Sequence, residues 1–436
     1  MTAALIAAPS SGAGKTTVAL ALGAALRKLG WSIRSVKLGP DYIDPGFHAA
    51  ATGQPCYNLD ALAMERSLQG AVLGAGPVVV EAAMGLFDGA GLNGRASAAD
   101  IASSFDLPIV LVLDCAALSH SVAAIVRGIV SHDPRLRFNG LILNRVGSVR
   151  HEAMLRTALA DPMYPPILGC LPRRPDLKHP SRHLGLLQAH ERADLEDWLA
   201  RLAEWISRNV DVERVLSPWT PPPSEHLSMR PPAQRIAIAQ DAAFSFFYPH
   251  QRDGWRKAGA ELSFFSPLAD EPPPSADLIY LPGGYPELFA GQIGSSYNFI
   301  SGLKKASQDT PIYGECGGYM VLGDGLIDAE GNRHPMAALL RLETSFERRK
   351  LQLGYRRLNA VSGPMSGEWY GHEFHYSTEL LSEGAALFKA WDSDGAQLSP
   401  MGLRAGNVSG SYAHLIAPRC SDGRHASGST EVSDVK

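Results

Sequence analysis

Apolar residues recur along the first half of the chain in short continuous runs separated by helix-compatible stretches. Ala3–Ala8, Ser32–Lys37, Val78–Glu81, Ile109–Asp114 and Leu141–Asn144 read as strands, and their lack of polar alternation marks strands buried on both faces. Between the first two lies Thr16–Leu29, a helix with Arg27 and Lys28 in its last turn and Gly30 placed to stop it. Alternation of this kind predicts a parallel sheet with right-handed crossovers. Charged, helix-compatible sequence runs from Glu191 to Arg208. The pattern then breaks at Ser217–Pro232, where Pro218, Pro221, Pro222, Pro223, Pro231 and Pro232 exclude regular structure and suggest a polyproline linker. A second α/β run starts at Arg235, with strands at Ile236–Gln240, Leu262–Phe264, Leu278–Leu281 and Ile312–Gly314, and closes with Gly406–Leu415. The expected class is α/β with two parallel-sheet domains, residues 1–216 and 235–418, joined by a linker over 217–234. A Ser-, Gly- and charge-rich tail over 419–436 is expected to be disordered.

Composition narrows the function without naming it. The 436 residues are 45% hydrophobic and 19% charged with a net charge of −4, which suits a soluble globular protein and argues against a dedicated nucleic-acid binder. The start lacks the basic region of a signal peptide. The most apolar stretch, Leu107 to Val126, is interrupted by Asp114 and His120 and reads as a strand followed by a helix, not a membrane span. Five cysteines without metal-ligand spacing fit free thiols in a reducing cytoplasm.

Two stretches carry chemistry. Pro9-Ser-Ser-Gly-Ala-Gly-Lys-Thr-Thr17 joins a strand to a helix, as a phosphate-cradling loop must. Its Gly14-Lys15-Thr16 matches the Walker pattern, while Pro9 occupies the first glycine position. Gly12, Ala13, Gly14 and Thr17 would present backbone N–H groups to the phosphates, Lys15 would reach the β and γ groups, and Thr16 would ligate Mg²⁺. Partition-type ATPases carry a second lysine five positions before the loop lysine. Here that position is Ser10, which points instead to a dethiobiotin-synthetase-like ligase. Such a sheet brings Lys37, Asp41, Tyr42, Asp44, Glu81 and Asp88 to its carboxyl edge. Lys37 would neutralise a transferring phosphoryl group, and Asp44 and Glu81 would complete a shell of hard oxygen ligands around Mg²⁺. Asn144 and Arg145 would read the adenine edge.

The second stretch, Gly314-Glu-Cys316-Gly-Gly318, is a nucleophile elbow: a strand, a tight turn of small residues and a helix start that favours thiolate. Backbone N–H groups at Gly284 and Gly317 are candidates for an oxyanion hole, worth roughly 3 kcal/mol per donor. A histidine should serve as base, with His414, His372 and His375 in contention.

Taken in order, Ser10–Thr17, Lys37–Pro45, Glu81–Gly89, Leu281–Glu287, Gly314–Met320, Leu353–Arg356, Gly371–Ser377 and Ser411–His414 resemble the corrinoid a,c-diamide synthases. These are class I glutamine amidotransferases fused to a dethiobiotin-synthetase-like ATPase domain, and the resemblance reaches to about residue 418. It implies that Cys316, with His414 as base, releases ammonia from glutamine. The N-terminal domain would use Mg-ATP to activate a tetrapyrrole carboxylate, with Asp41, Tyr42 and Asp88 near the substrate. The elbow Gly-Glu-Cys-Gly-Gly-Tyr-Met is more like the metal-free, hydrogenobyrinic branch. Cobyrinic acid, nickel-sirohydrochlorin and the cobyric acid synthase reaction are the alternatives within the family. A nucleotide-switched binding protein with a non-catalytic amidotransferase half is the alternative outside it. The class I pattern has a glutamate two residues after the histidine; here Ile416 stands there, which implies a less polarised base. Glu347–Lys350, Arg356 and Arg357, with Trp369, Tyr370 and Tyr376 nearby, are candidates to meet a polycarboxylate macrocycle. The resemblance further implies a homodimer.

Overall fold

A computed structural model of the chain describes residues 1–177, 188–223 and 227–419. The N-terminal strands are β1 (Thr2–Ala7), β2 (Arg34–Leu38), β3 (Tyr57–Leu59), β4 (Val78–Glu81), β5 (Ile109–Asp114), β6 (Phe138–Val146), β7 (Ile167–Pro172) and β8 (Ser217–Pro218). Among the described residues they form one sheet in the order β3-β2-β4-β1-β5-β6-β7. Every neighbouring pair along that path is parallel. Ala3 to Ala7 are fully buried, as the unbroken apolar pattern demands. Strand order reverses around β1, between β4 and β5, so the crevice at their carboxyl ends is where a ligand is expected. Helix Lys15–Lys28 starts in that crevice and buries Val18 to Leu22 completely.

Ser217–Pro218 corrects one expectation. The beginning of the Pro-rich segment pairs antiparallel with Thr2–Ala3, and Trp219 is buried with its indole N–H on the Phe105 carbonyl at 2.8 Å. Proline lacks only the donor, so Pro218 can sit at a sheet edge through its carbonyl. Met229 is also buried, and its N–H bonds the Gly254 carbonyl. The segment is therefore fastened to both domains at these points. The tail beyond Arg419 lies outside the described residues.

Further along come β9 (Arg235–Ala239), β10 (Glu261–Phe265), β11 (Leu278–Leu281), β12 (Ile312–Glu315), β13 (Gly325–Ile327), β14 (Arg333–Pro335), β15 (Arg341–Ser345), β16 (Gln352–Ala360), β17 (Gly367–His375), β18 (Thr378–Glu383), β19 (Ala385–Trp391), β20 (Met401–Ala405), β21 (Val408–Ser411) and β22 (His414–Pro418). The large sheet runs β10-β9-β11-β12-β21-β20-β19-β16-β17-β22. Its half from β10 to β21 is the expected parallel core. The rest is antiparallel and was not anticipated, and β14-β13-β15-β18 form a separate small sheet. Half-exposed strands lack continuous apolar runs: Thr378–Glu383 is exposed along much of its length.

The two domains share a core. Leu59 of the first lies in one buried cluster with Tyr248 and Leu415 of the second. Polar contacts seal the junction. Tyr57 donates to Asp253 at 2.9 Å, Tyr355 to Asp60 at 2.7 Å and Gln188 to Ser245 at 3.1 Å. Both carboxyl edges thereby face the same junction.

Candidate active site

On the phosphate side, the loop after β1 is braced from behind. Asn144 Nδ2 donates to the Ala13 carbonyl and Arg145 Nη2 to the Gly12 carbonyl, each at 2.9 Å, while Arg145 also pairs with Asp114. With their carbonyls held, the loop N–H groups are free to face an anion. Gly14 sits at φ 95°, and a Cβ there would overlap the Asn144 amide, so the position admits glycine alone. Asn144 and Arg145, expected from sequence at the adenine edge, thus also brace the loop itself. Lys15 is folded back, its ammonium 3.2 Å from the Ser10 carbonyl. Burial lowers its pKa.

Lys37, Asp44, Glu81 and Thr16 converge as predicted. Lys37 Nζ is 2.6 Å from Asp44 and 2.7 Å from Glu81, with Asp41 at 4.0 Å. Thr16 Oγ1 is 2.5 Å from Glu81 and 3.5 Å from Asp44. Burial works against the Lys37 charge, but Glu81, Asp44 and Asp41 outweigh it and hold the ammonium well above the usual lysine range. Glu81 is likewise kept far below the usual carboxylate range against its burial, by Lys37 and by His48 at 2.5 Å. His48 was not singled out in the sequence, where a histidine on a helix behind the sheet carries no motif. The three oxygen donors Thr16, Asp44 and Glu81 lie close enough to share one hard cation, so the residues fit Mg²⁺. Lys37 now supplies the positive charge among them.

Asp41 Oδ1 accepts the N–H groups of Ile43 and Asp44, at 2.7 and 3.1 Å. Burial and the neighbouring Asp44 push its carboxyl up to about 6. Asp88 caps the turn at Gly85 and, with Gly39, Met84 and Tyr355, lines a cavity of ≈ 90 Å³ at the junction. Tyr42 departs from its expected place. Its ring leaves the phosphate edge and packs into the second domain, 4.9 Å from Phe246, 4.3 Å from Tyr248 and 5.1 Å from His414, centroid to centroid.

On the thiol side, Cys316 sits at φ 45° and ψ −102°, a backbone strain that marks a nucleophile elbow. Its N–H is fixed on the Ser411 carbonyl at 2.8 Å, because β12 and β21 pair with Glu315 opposite Ser411. That register delivers His414, three residues on, to the same end of the sheet. The His414 ring lies against Gly283, where any Cβ would overlap it. Gly317 abuts Gly284 in turn: a Cβ on Gly317 would stand 3.1 Å from the Gly284 nitrogen. Loop 282–286 therefore gathers the elbow, both oxyanion candidates and His414.

The other two histidines have other partners. Tyr248 and His372 Nε2 are hydrogen-bonded at 3.0 Å, and His375 stacks on Tyr412 with Nδ1 on Ser377. Burial, then the charge of Glu287, raises the Cys316 thiol, against the thiolate expected from the helix start, and the Gly317 N–H opposes this only in part. Burial, with His372 and His375 nearby, holds His414 well below its usual value.

The candidate macrocycle contacts divide. Trp369 is buried, with its indole N–H on Met365, and Arg356 is paired with Glu373 at 2.6 Å, so neither is available as a free surface group. Arg357 lies over the Trp391 ring, whereas Glu347, Arg348, Arg349 and Lys350 are exposed.

Residues 4–187 match the CobQ/CobB/MinD/ParA nucleotide binding domain family, and residues 235–420 match the CobB/CobQ-like glutamine amidotransferase domain family. The hydrogenobyrinate a,c-diamide synthase of Brucella anthropi is 49% identical over 94% of this chain and 98% of its own. That of Rhizobium meliloti is 50% identical over the same shares, and that of Rhodobacter capsulatus 49%. A nucleotide-binding half and a glutamine amidotransferase half thus occur together here in the order and over the length of those enzymes, and the chain belongs to the hydrogenobyrinate a,c-diamide synthase family.

Proposed function

We propose that the protein converts two carboxylates of hydrogenobyrinic acid, a and c, to amides, with ATP as activator and glutamine as nitrogen donor. The observation that carries this reading is the position of Tyr42. Its backbone belongs to the loop whose Asp41 and Asp44 reach Lys37, and its ring packs on His414. A phosphate-binding edge and a thiol site separated by one aromatic side chain can pass ammonia without releasing it to water. That matters because bulk ammonia is mostly protonated at neutral pH and ammonium is no nucleophile.

In the glutaminase half, Cys316 Sγ adds to the glutamine amide carbon as His414 takes the thiol proton. The developing oxyanion is held by the N–H groups of Gly284 and Gly317. Collapse breaks the C–N bond, ammonia leaves with the proton returned by His414, and water clears the glutamyl thioester as glutamate. In the synthetase half, the N–H groups of Gly12 to Thr17 and the Lys15 ammonium hold the triphosphate. Lys37, held between Asp44 and Glu81, adds positive charge beside the γ-phosphoryl group as it passes to a substrate carboxylate near Asp41 and Asp88. Thr16, Asp44 and Glu81 would hold Mg²⁺, which supplies charge neutralisation at the β and γ phosphates. Ammonia attacks the acyl phosphate carbon, the C–O bond to phosphate breaks, and Asp41, with its raised pKa, takes the proton that nitrogen sheds. The exposed basic run Arg348–Lys350 suits the remaining peripheral carboxylates. Assembly as a homodimer in the cytoplasm belongs to the same proposal.

Two experiments test this reading. Hydrogenobyrinic and cobyrinic acids offered in parallel, with ATP, Mg²⁺ and glutamine, should give a diamide by mass spectrometry, preferentially from the metal-free substrate. Preference for cobyrinic acid would move the protein to the cobalt branch, and no diamide from either would refute the activity. His414→Ala should lower glutamine-dependent turnover by roughly 100-fold or more while ammonia-dependent turnover persists. If His375→Ala has that effect and His414→Ala does not, the base is His375.

A further inference from the structure

The glutaminase half lacks an acid where its class carries one. Ile416 is fully buried in that place, and its carbonyl accepts a hydrogen bond from His250 at 2.9 Å. Even so, His414 is not without a carboxylate. Glu315, the last residue of β12 and the neighbour of the nucleophile, is itself buried, 1% exposed. Its Oε1 accepts the Leu415 N–H at 3.1 Å, and its Oε2 lies 3.8 Å from His414 Nδ1. That Nδ1 is buried and has no hydrogen-bond partner among the described residues. The other ionisable groups around the pair include Tyr280 on β11, Tyr313 on β12, Cys316 at the elbow, His372 and His375 on β17, and Tyr42 and Tyr248 from the junction.

We propose that Glu315 is the positioning residue for His414, supplying from the nucleophile's own strand the acid that position 416 lacks. Neutral imidazole has two tautomers, and only the one protonated at Nδ1 leaves Nε2 free to take a proton from Cys316. Glu315 as a carboxylate accepts that Nδ1–H and selects the productive form. At 3.8 Å the contact is longer than a hydrogen bond, as catalytic contacts often are before substrate tightens them. Burial pushes the Glu315 carboxyl up to about 8, against the opposing pull of the Leu415 N–H and the Tyr280 and Tyr313 hydroxyls. The sign of the pH effect follows. The carboxylate fraction grows as pH rises through that value, so glutaminase kcat/KM should climb across it.

The inference rests on the glutaminase role given to Cys316 and His414, and its test separates the two. Glu315→Gln keeps the shape and the oxygen that receives the Leu415 N–H but removes the charge. It should lower glutaminase kcat/KM roughly 10- to 1,000-fold, short of the about 10⁴-fold cost of losing the aspartate of a serine-protease triad. Its pH climb should vanish, and ammonia-dependent amidation should continue at the unmutated rate. Histidine heavy-nitrogen NMR of the unmutated protein, recorded above the pH at which Glu315 ionises, should find His414 protonated at Nδ1. Undiminished glutaminase in Glu315→Gln, or an Nε2-protonated His414 at that pH, would overturn the proposal. Should Glu315→Gln lose ammonia-dependent turnover too, the tautomer decides. Absence of glutaminase in the unmutated protein would count against the function instead, and the tautomer would again decide the role of Glu315.

Discussion

Cys316→Ser should abolish glutamine-dependent amidation, by roughly 10⁴-fold or more, and leave ammonia-dependent amidation intact. The asymmetry follows from where the thiol sits. Cys316 is 4% exposed, at the end of β12, and its contacts are with the loop Pro282–Pro286, Ser411 and the helix that follows it. On the phosphate side, Lys37 and Glu81 lie on a different sheet, and Lys15 and Thr16 on the helix that follows its first strand. A hydroxyl in place of a thiol is close in size, so the strained elbow should persist and only nucleophilicity is lost. Serine needs a base strong enough to take a far less acidic proton, and His414, already depressed by burial, cannot provide it. Ammonia added to the solution bypasses the thiol. Rates measured with each nitrogen source check this directly, and loss of both would mean that the two halves are not separate sites.

Lys15→Ala should stop amidation from either source, by roughly 1,000-fold or more, the scale associated with removing a cation from a transferring phosphoryl group. Among the described residues the Lys15 ammonium forms no ion pair, and it donates to the Ser10 carbonyl at 3.2 Å. Lys37 cannot replace it, because Asp44 and Glu81 hold it at 2.6 and 2.7 Å and need its charge. The glutaminase reaction should survive in this variant, which makes glutamate release the internal control for folding. Turnover with ammonia in Lys15→Ala would remove the lysine from the activation step.

What could be read in the sequence divides along physical lines. Strands buried on both faces announce themselves as unbroken apolar runs, so β4 and β5 were placed to the residue. Strands β16, β17, β18 and β20 alternate or lie half exposed, and no long apolar run marks them. Site residues tied to a motif, such as Thr16, Lys37, Glu81 and Cys316, were legible because the backbone itself positions them. Those that depend on long-range packing were not. Tyr42 lies beside Asp41, yet its ring serves the other domain, through contacts with Phe246, Tyr248 and His414 more than 200 residues away. Glu315 was in plain view inside the elbow. Only the pairing of β12 with β21, which sets Glu315 opposite Ser411 and brings His414 three residues beyond it, gives it a partner. An acid at the buried end of an apolar strand is the signal that would have found it.

The central claim is that two sites in one chain are coupled by ammonia made at one and used at the other. It is tested most directly with glutamine labelled with heavy nitrogen in its side-chain amide, in a large excess of unlabelled ammonium. Hydrogenobyrinic acid, ATP and Mg²⁺ complete the reaction, and mass spectrometry reads the product. The account predicts a diamide enriched in the heavy isotope far beyond its share of the total ammonia pool, as ammonia made at Cys316 passes Tyr42 without mixing fully with solvent. A diamide carrying only the unlabelled isotope would contradict it.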